Sequence, residues 1–552
     1  MPNQVFGLSI FIMIKAIDFV EKFQSANLLN RIKKNYKSMF DQRVSGILLH
    51  PTSLANDYGI GDLGKGAYDF IDFLVESKQQ IWQILPLGPT GYGNSPYQCY
   101  SSIAGNPLLI SLEFLQQEGL LTFEALNYGK PNFPINYVDF ELVIPYKIGL
   151  LEKAYQNFLT SATLKEERAR FAIFKQEQGK WLEDYALFMA LKEDYNGASW
   201  YEWDPKIVKR EHTVLLTCQE KLHDRIGYHQ FLQYLFFKQW LELKKYANEK
   251  NILIFGDIPI YVAHDSADVW SHPDHFMLDP KTGEATLMAG VPPDYFSETG
   301  QLWGNPVYNW ETLEFTNFQW WIERIKKNLS LVDILRIDHF RGFDAFWAVP
   351  HGEETAIKGE WVQAPGQAFF KELQKQMGHL PIVAEDLGVI TPEVEKLRDD
   401  FNFPGMKILQ FAFDSGYQNE FLPFNYPNHR CVVYTGTHDN DTTAGWFEAR
   451  SDEEKSRVVD YLGCIGRRGI HWSLIQLALG TVANLAIFPF QDLLGLGTDA
   501  RMNRPGIAEG NWAWRLAPDS LNVDIKGHLA YLTTIYGRAP LPQPQEIKIE
   551  LE

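Results

Sequence analysis

The sequence predicts an α/β fold: a (β/α)8 TIM barrel with inserted, largely helical subdomains. Three observations predict it. Eight short apolar runs end in polar or glycine punctuation, the pattern of strands buried on both faces of a parallel sheet. Segments with apolar residues at helical spacing lie between most of them, and strand–helix alternation implies parallel pairing. Eight such units imply closure into a barrel.

In order, the runs are "SGILLHP" (45–51), "IWQILPLGP" (81–89), "ILIFGDIP" (252–259) and "LVDILRIDH" (331–339), then "PIVAEDLG" (381–388), "MKILQFAF" (406–413), "CVVYTGTHD" (431–439) and "LAIFPFQD" (485–492). Helical spacing appears in "GAYDFIDFLVESK" (66–78), "FQWWIERIKKNLS" (318–330), "QAFFKELQKQMG" (367–378) and "HWSLIQLALGTVAN" (471–484). The stretch 414–430 shows no clear helix, so the unit there is irregular. The long interval between the second and third runs is mostly helical in pattern. "YKIGLLEKAYQNFL" (146–159), "KWLEDYALFMALKEDY" (180–195) and "YHQFLQYLFFKQWLELKKYANEK" (228–250) are amphipathic and predict an inserted subdomain whose aromatics form its own core.

A net charge of −18 repels a polyanion unless basic residues cluster, and the densest cluster, "RIKKNYK" (31–37), reads as a solvated helix face. A nucleic-acid partner is therefore not expected, and a neutral or cationic substrate is. The 16 Trp, 25 Tyr and 37 Phe are enough to build a large core and still leave rings as sugar platforms. Four cysteines, none in a CxxC pair, suit a reducing compartment. The apolar run "VFGLSIFIMI" (5–14) is too short to span a membrane. It also lacks the flanks of a signal peptide. A cytoplasmic protein without membrane contact is expected.

Function in such a barrel sits at the carboxyl ends of the strands. Acids collect there: Asp257, Asp338, Glu385 and Asp386, Asp439, and Asp492 beside Gln491. Side chains alternate along a strand, so Val332, Ile334, Arg336 and Asp338 share one face, with the polar pair at the barrel mouth. Arg336 beside Asp338 is expected to keep that carboxylate's pKa low, suiting a nucleophile or charge stabiliser. Glu385, near a second carboxylate, is expected to have a raised pKa and to donate a proton. One depressed and one raised carboxyl make the arrangement of glycosidic-bond cleavage, and their separation decides between retention and inversion. Asp439 is a third acid for the sugar's hydroxyls and for positive charge at the ring carbon, and His438 is placed to bond to the same sugar. "HPDHFMLD" (272–279) reads as loop rather than metal site, and "GIGDLGKGAYDF" (59–70) as a βα loop that lacks a phosphate-binding signature. Two loops, 88–102 and 289–310, mix Gly, Ser and Pro with Tyr and Trp and look built for a bulky polar ligand.

"RIDHFRG", "AEDLG" and "THDND", in this order, resemble the 4-α-glucanotransferases of glycoside hydrolase family 77. "GILLHPTSL", "GNSPYQ", "GDIPIYV", "GVPPDYFSETGQLWGNP" and "RMNRPG" extend the resemblance from about Phe40 to Tyr536. The resemblance implies a (β/α)8 barrel without metal or organic cofactor that acts on maltooligosaccharides and α-1,4-glucans. It implies Asp338 as nucleophile, Glu385 as general acid/base and Asp439 as transition-state stabiliser. Arg336, His438, His339, Tyr92, Ser95, Tyr97, Asp257, Asp294, Trp303 and Asn503 would contact substrate. The chain is expected to hold an N-terminal extension (1–38), a departure from the family that is either real or a misassigned start, then a catalytic barrel (39–540) and a C-terminal tail (541–552). The barrel would hold a mostly helical insertion at about 110–250 and a substrate-binding loop region at about 264–315. Members of the family tend to begin near the first motif, so Met39 is a natural start. The implied reaction is transfer of a glucan segment to another glucan. The alternative is an α-1,4-glucan hydrolase on the same barrel, because three acids alone do not choose between water and sugar as acceptor.

Overall fold

The structure, a computed structural model, describes residues 42–293 and 297–541. The expected extension over 1–38, Asp294 and all but the first residue of the expected tail lie outside the described residues.

Among the described residues, twelve strands run in chain order: β1 Val44–Leu48, β2 Ile81–Gln83, β3 Leu253–Pro259, β4 Leu287–Val291, β5 Gln301–Pro306, β6 Ile334–Asp338, β7 Ala345–Pro350, β8 Glu360–Gln363, β9 Ile382–Ala384, β10 Gly405–Ile408, β11 Cys431–Tyr434 and β12 Leu485–Pro489. Eight of them, one from each predicted run, form a parallel sheet in the order β10-β11-β12-β1-β2-β3-β6-β9. These strands are buried almost throughout, which is why their sequences read as unbroken apolar runs.

The two ends of that sheet, β9 and β10, close the barrel without a regular ladder. Ala384 N–H donates to Pro404 O at 2.9 Å, and Met406 N–H donates to the Asp386 carboxylate at 2.7 Å. A side-chain carboxylate thus stands in for a backbone acceptor at the seam. Gly405 is needed there, because a Cβ would collide with the Asp386 carboxylate.

Helices stand where the sequence expects them: Lys65–Glu76, Gln319–Leu331, Gly366–Met377 and Ile470–Gly480. Between β2 and β3 the insertion folds mainly as Phe140–Thr160, Lys165–Gln178, Lys180–Asp194 and His223–Glu249. Asp139 caps the first of these, its carboxylate accepting from Glu141 N–H and Leu142 N–H. Phe158, Phe174, Phe231 and Tyr234 are buried among these helices, with Phe158 and Phe231 centroids 4.6 Å apart. Their large buried rings make the insertion's core.

One architectural feature differs from the sequence reading. The segment 289–310 is not all loop: β4 and β5 pair antiparallel with each other, and β7 and β8 complete a second sheet in the order β5-β4-β7-β8. Short strands carrying Gly and Pro give no periodic signal, and only the pairing of β4 with β7 and of β5 with β4 fixes them. This sheet matters for the site because β5 carries Gln301, Trp303 and Asn305 to the barrel mouth. Among the described residues no helix is long and apolar enough to cross a membrane.

Candidate active site

A cleft of about 1140 Å³ opens at the carboxyl ends of the barrel strands. Its walls hold Arg336, Asp338, His339, Glu385, His438 and Asp439 from the barrel, Tyr92, Ser95 and Tyr97 from the 88–102 loop, Trp303 from β5, and Asn503. Eleven of the thirteen residues singled out from sequence therefore meet in one space. Asp294 lies outside the described residues, and Asp257 does not reach the cleft.

The central pair is set by strand register. In the parallel pairing of β6 with β9, Arg336 stands beside Val383 and Ile337 beside Ala384. Glu385 N–H donates to Ile337 O at 3.0 Å and Phe340 N–H to Glu385 O at 3.1 Å, which carries the ladder one step past the strand ends. Asp338 and Glu385 are thus ladder neighbours, on strands about 5 Å apart, with side chains on one face.

Their environments differ. The Arg336 guanidinium donates from Nη2 to Asp338 Oδ1 at 2.7 Å and from Nη1 to Asp257 Oδ2 at 2.6 Å. Burial raises the Asp338 carboxyl, and Arg336 opposes that rise, as does His438 more weakly. The expectation that Arg336 would hold Asp338 low is corrected here: removal from water, with Asp257 and Asp439 nearby, outweighs the guanidinium. Glu385 is pushed up to about 8, by burial first and then by the charge of Asp338. Two backbone donors, His339 N–H to Oε2 at 2.7 Å and Leu387 N–H to Oε1 at 2.9 Å, fix its carboxyl and offset part of the rise. Of the two acids, Asp338 touches the guanidinium directly, so the proton the pair retains resides on Glu385.

His339 reaches its position through a left-handed backbone, φ 56° and ψ 48°. That costs a non-glycine residue about 1–3 kcal/mol, and it accompanies the turn that presents the His339 N–H to Glu385. Its ring meets Trp303 edge-on at 4.8 Å, and burial drops its pKa to about 3, so it is neutral.

Asp439 lies beyond β11, held from across the cleft. Asn503 Nδ2 donates to Oδ1 at 2.7 Å, His438 Nε2 stands 3.2 Å from Oδ2, and Arg501 Nη2 donates to the main-chain carbonyl at 3.0 Å. Burial alone would raise this carboxyl, but His438, Asn503 and Arg336 together hold it well below the usual range. The His438 ring stacks on Tyr97, centroids 5.2 Å apart.

Asp257 is the residue whose placement departs from its expected role as a substrate contact. Register pairs Asp257 with Arg336 and Pro259 with Asp338, so Asp257 sits two residues below the mouth. Its side chain is 0% exposed. Oδ2 accepts from Arg336 and from the Tyr97 hydroxyl at 2.8 Å, which makes it a buried counter-ion joining the 88–102 loop to the Arg336–Asp338 pair. Asp257→Ala leaves Arg336 buried with one partner gone and is expected to cost roughly 3–5 kcal/mol. Denaturant unfolding measures it, and a loss under about 1 kcal/mol would contradict this counter-ion role.

Other rim acids are spent internally. Asp386 accepts from Arg398 as well as from Met406 N–H, and Asp492 accepts from Thr435 and twice from Thr443. At 272–279, His272 and His275 stack on each other at 5.1 Å beside Trp320, and Asp279 accepts backbone N–H groups from Lys281 and Thr282. Among the described residues no cluster of three or more His, Cys, Asp or Glu could hold a metal ion.

The glycoside hydrolase family 77 profile, described as 4-alpha-glucanotransferase, matches residues 49–521. The chain belongs to this family. A 4-alpha-glucanotransferase of Synechocystis sp. is 61% identical over 501 residues, covering 91% of this chain and 99% of the relative. One from Thermus thermophilus is 51% identical, covering 87% and 96%. The amylomaltase of Streptococcus agalactiae, solved in complex with acarbose, superposes with a TM-score of 0.86 at 41% identity, covering 90% of this chain and all of that one.

For this family 77 chain, the sequence reading missed several cleft residues: Tyr261, Asn305, Arg504 and Trp512. Asn305 ties the cleft walls together, accepting from Gln98 Nε2 at 3.1 Å and donating to Val262 O at 2.8 Å. Trp512 stands 5.8 Å from Tyr97. Asn305 and Tyr261 fall inside the quoted motifs "GVPPDYFSETGQLWGNP" and "GDIPIYV", so a signal existed. For Trp512, in "GNWAW", nothing local marked it.

Proposed function

We propose that the protein is a 4-α-glucanotransferase that moves a segment of an α-1,4-glucan to the 4-hydroxyl of an acceptor glucose or glucan, with retention. The observation that carries this is the ladder-neighbour pair Asp338 and Glu385, one against a guanidinium and one holding a proton. Retaining enzymes hold their two carboxyls about 5 Å apart, and facing positions on adjacent strands suit that route.

In the first step a carboxylate oxygen of Asp338 bonds to the anomeric carbon while the glycosidic C–O bond breaks and Glu385 gives its proton to the leaving oxygen. The ring carbon passes through positive charge. Asp439, ionised under the hold of His438, Asn503 and Arg336, faces that charge. In the second step Glu385 takes the proton of the acceptor hydroxyl, and the freed oxygen displaces Asp338. Tyr92, Ser95, Tyr97, Trp303 and His339 line the sugar path, with Tyr92 78% exposed at the outer rim.

Transfer is favoured over hydrolysis by the named activity of the relatives. The tie between the 88–102 loop and β5 through Gln98 and Asn305 supports it, since joined walls shield the intermediate from water. Four free cysteines suit a reducing, cytoplasmic setting. Incubation with maltotriose tests the reading. Transfer yields glucose and longer maltooligosaccharides with no net gain in reducing ends, whereas a steady gain in reducing ends would establish hydrolysis.

The proton on Glu385 sets a pH limb. The acid is present below its pKa and lost above it, so kcat/KM on maltotriose is expected to fall as pH rises through about 8. The fall approaches tenfold per pH unit beyond. A pH–rate profile flat through that region would contradict the assignment.

A further inference from the structure

The turn that follows Glu385 is pinned by a charged side chain that reaches it from the other side of the acid pair. We infer that Arg341 is a positioning residue for Glu385, acting through the main chain at Val389, with Trp361 as its clamp. The inference rests on the acid/base role proposed above.

Glu385 is held at three points. Phe340 N–H donates to its main-chain carbonyl and His339 N–H to its Oε2, both from the segment that continues β6. The third donor, Leu387 N–H to Oε1 at 2.9 Å, comes from the turn beyond Glu385 itself. Asp386 anchors the entry to that turn through Arg398 and Met406, and the helix Pro392–Asp400 begins past its exit. Between the two, packing holds little. Gly388 stands at φ 86°, a Cβ on it would meet nothing within 4 Å, and Val389 is 61% exposed. Burial therefore does not fix the middle of the turn.

Arg341 fixes it. Its Nη1 donates to Val389 O, and among the described residues that is the one hydrogen bond made by residues 388–390. Arg341 lies three residues past Asp338, in the short helical turn Phe340–Phe343. The segment that carries the nucleophile thus also grips the turn that aims the acid. The guanidinium carbon sits 3.9 Å from the centre of the Trp361 ring, close enough for a cation–π contact. Trp361 stands on β8 opposite Trp347 of β7, and the two rings meet edge-on at 5.3 Å. The second sheet therefore backs the ring that steadies the guanidinium.

A buried cation without an acid needs a reason. Arg341 is buried, and among the described residues no carboxylate forms an ion pair with it. Burial lowers its pKa, and the charge of Asp344 opposes that. For packing alone an apolar side chain would fill the space without desolvating a charge. What the guanidinium adds is a rigid donor to Val389 O, delivered while its plane rests on a ring.

Wild type, Arg341→Met, Trp361→Leu and Glu385→Gln are compared as full-length proteins in two reactions. Transfer on maltotriose needs Glu385 as acid and as base. Turnover of α-maltotriosyl fluoride with azide as acceptor needs neither, because fluoride leaves without a proton and azide attacks without giving one up. Arg341→Met is expected to lower kcat on maltotriose about 30-fold, the size of a small misplacement of a reacting group. Its KM, and its turnover of the fluoride with azide, should stay within about threefold of wild type. Trp361→Leu keeps the hydrogen bond and removes the clamp, so the same split is expected at about fivefold. A purely structural role would lower both reactions together. Equal losses in both reactions, or no loss on maltotriose, with circular dichroism reporting folded protein, would overturn the inference. Glu385→Gln separates the two readings. If it shows the split and Arg341→Met does not, the positioning role fails and the acid role stands. If Glu385→Gln shows no split, the acid role fails and the inference falls with it.

Discussion

Asp338→Asn is expected to lower kcat for glucan transfer by on the order of 10⁴ to 10⁶, with KM for maltotriose changed little. At 1.36 kcal/mol per tenfold, that is roughly 5–8 kcal/mol of barrier. The size follows from chemistry, since an amide cannot form the glycosyl ester through which both half-reactions pass. The near-constant KM follows from geometry. An amide oxygen at this position can still accept from Arg336 Nη2, now 2.7 Å from Oδ1, so the floor of the cleft keeps its shape. Burial of the Arg336 group remains compensated by Asp257, which retains its bond at 2.6 Å. Steady-state rates on maltotriose, with circular dichroism as a fold control, check this. A fall of less than about 100-fold would mean that Asp338 is not the group that bonds to the sugar.

Glu385→Gln is expected to act differently according to the leaving group. With maltotriose the loss should be about 10² to 10⁴, the worth of a positioned proton. With α-maltotriosyl fluoride, whose fluoride needs no proton to depart, the first step should run close to the wild-type rate. The second step lacks its base, so a glycosyl-enzyme accumulates. Azide, a nucleophile that needs no deprotonation, should discharge it and restore turnover with an α-glycosyl azide as product. The pH limb near 8 should vanish, because the group that titrates there has been removed. The backbone donors to Glu385 from His339 and Leu387 point at both its oxygens. In the glutamine one of them faces an NH₂ group, so a modest shift of the side chain accompanies the kinetic change. Equal losses on maltotriose and on the fluoride would contradict the acid/base role.

These effects were legible in sequence to different depths. The barrel was readable because strands buried on both faces leave unbroken apolar runs, and β6 could be read down to the alternation that puts Arg336 and Asp338 on one side. The second sheet was not readable. β4 and β5 each carry a glycine, are partly open to solvent, and take their form from pairing, β5 with β4 and β4 with β7. The rim acids looked alike in sequence and separate only through register and side-chain direction. Glu385 faces the cleft, and its neighbour Asp386 points to the opposite side and closes the seam with β10. Asp257 stands level with Arg336 rather than with Asp338, and no single-strand pattern reveals how two strands are offset. Burial was also undervalued. Proximity of Arg336 to Asp338 was foreseeable from spacing, but the rise in the Asp338 pKa depends on how much water the completed cleft removes.

The central claim is that Asp338 carries the sugar between donor and acceptor, and mass spectrometry of Glu385→Gln after brief exposure to α-maltotriosyl fluoride tests it most directly. The account predicts a mass gain of one maltotriosyl unit, localised by peptide mapping to Asp338 and discharged by azide. A label found on Asp439 or on any other residue, or turnover of the fluoride with no labelled protein under conditions where product forms, would contradict it.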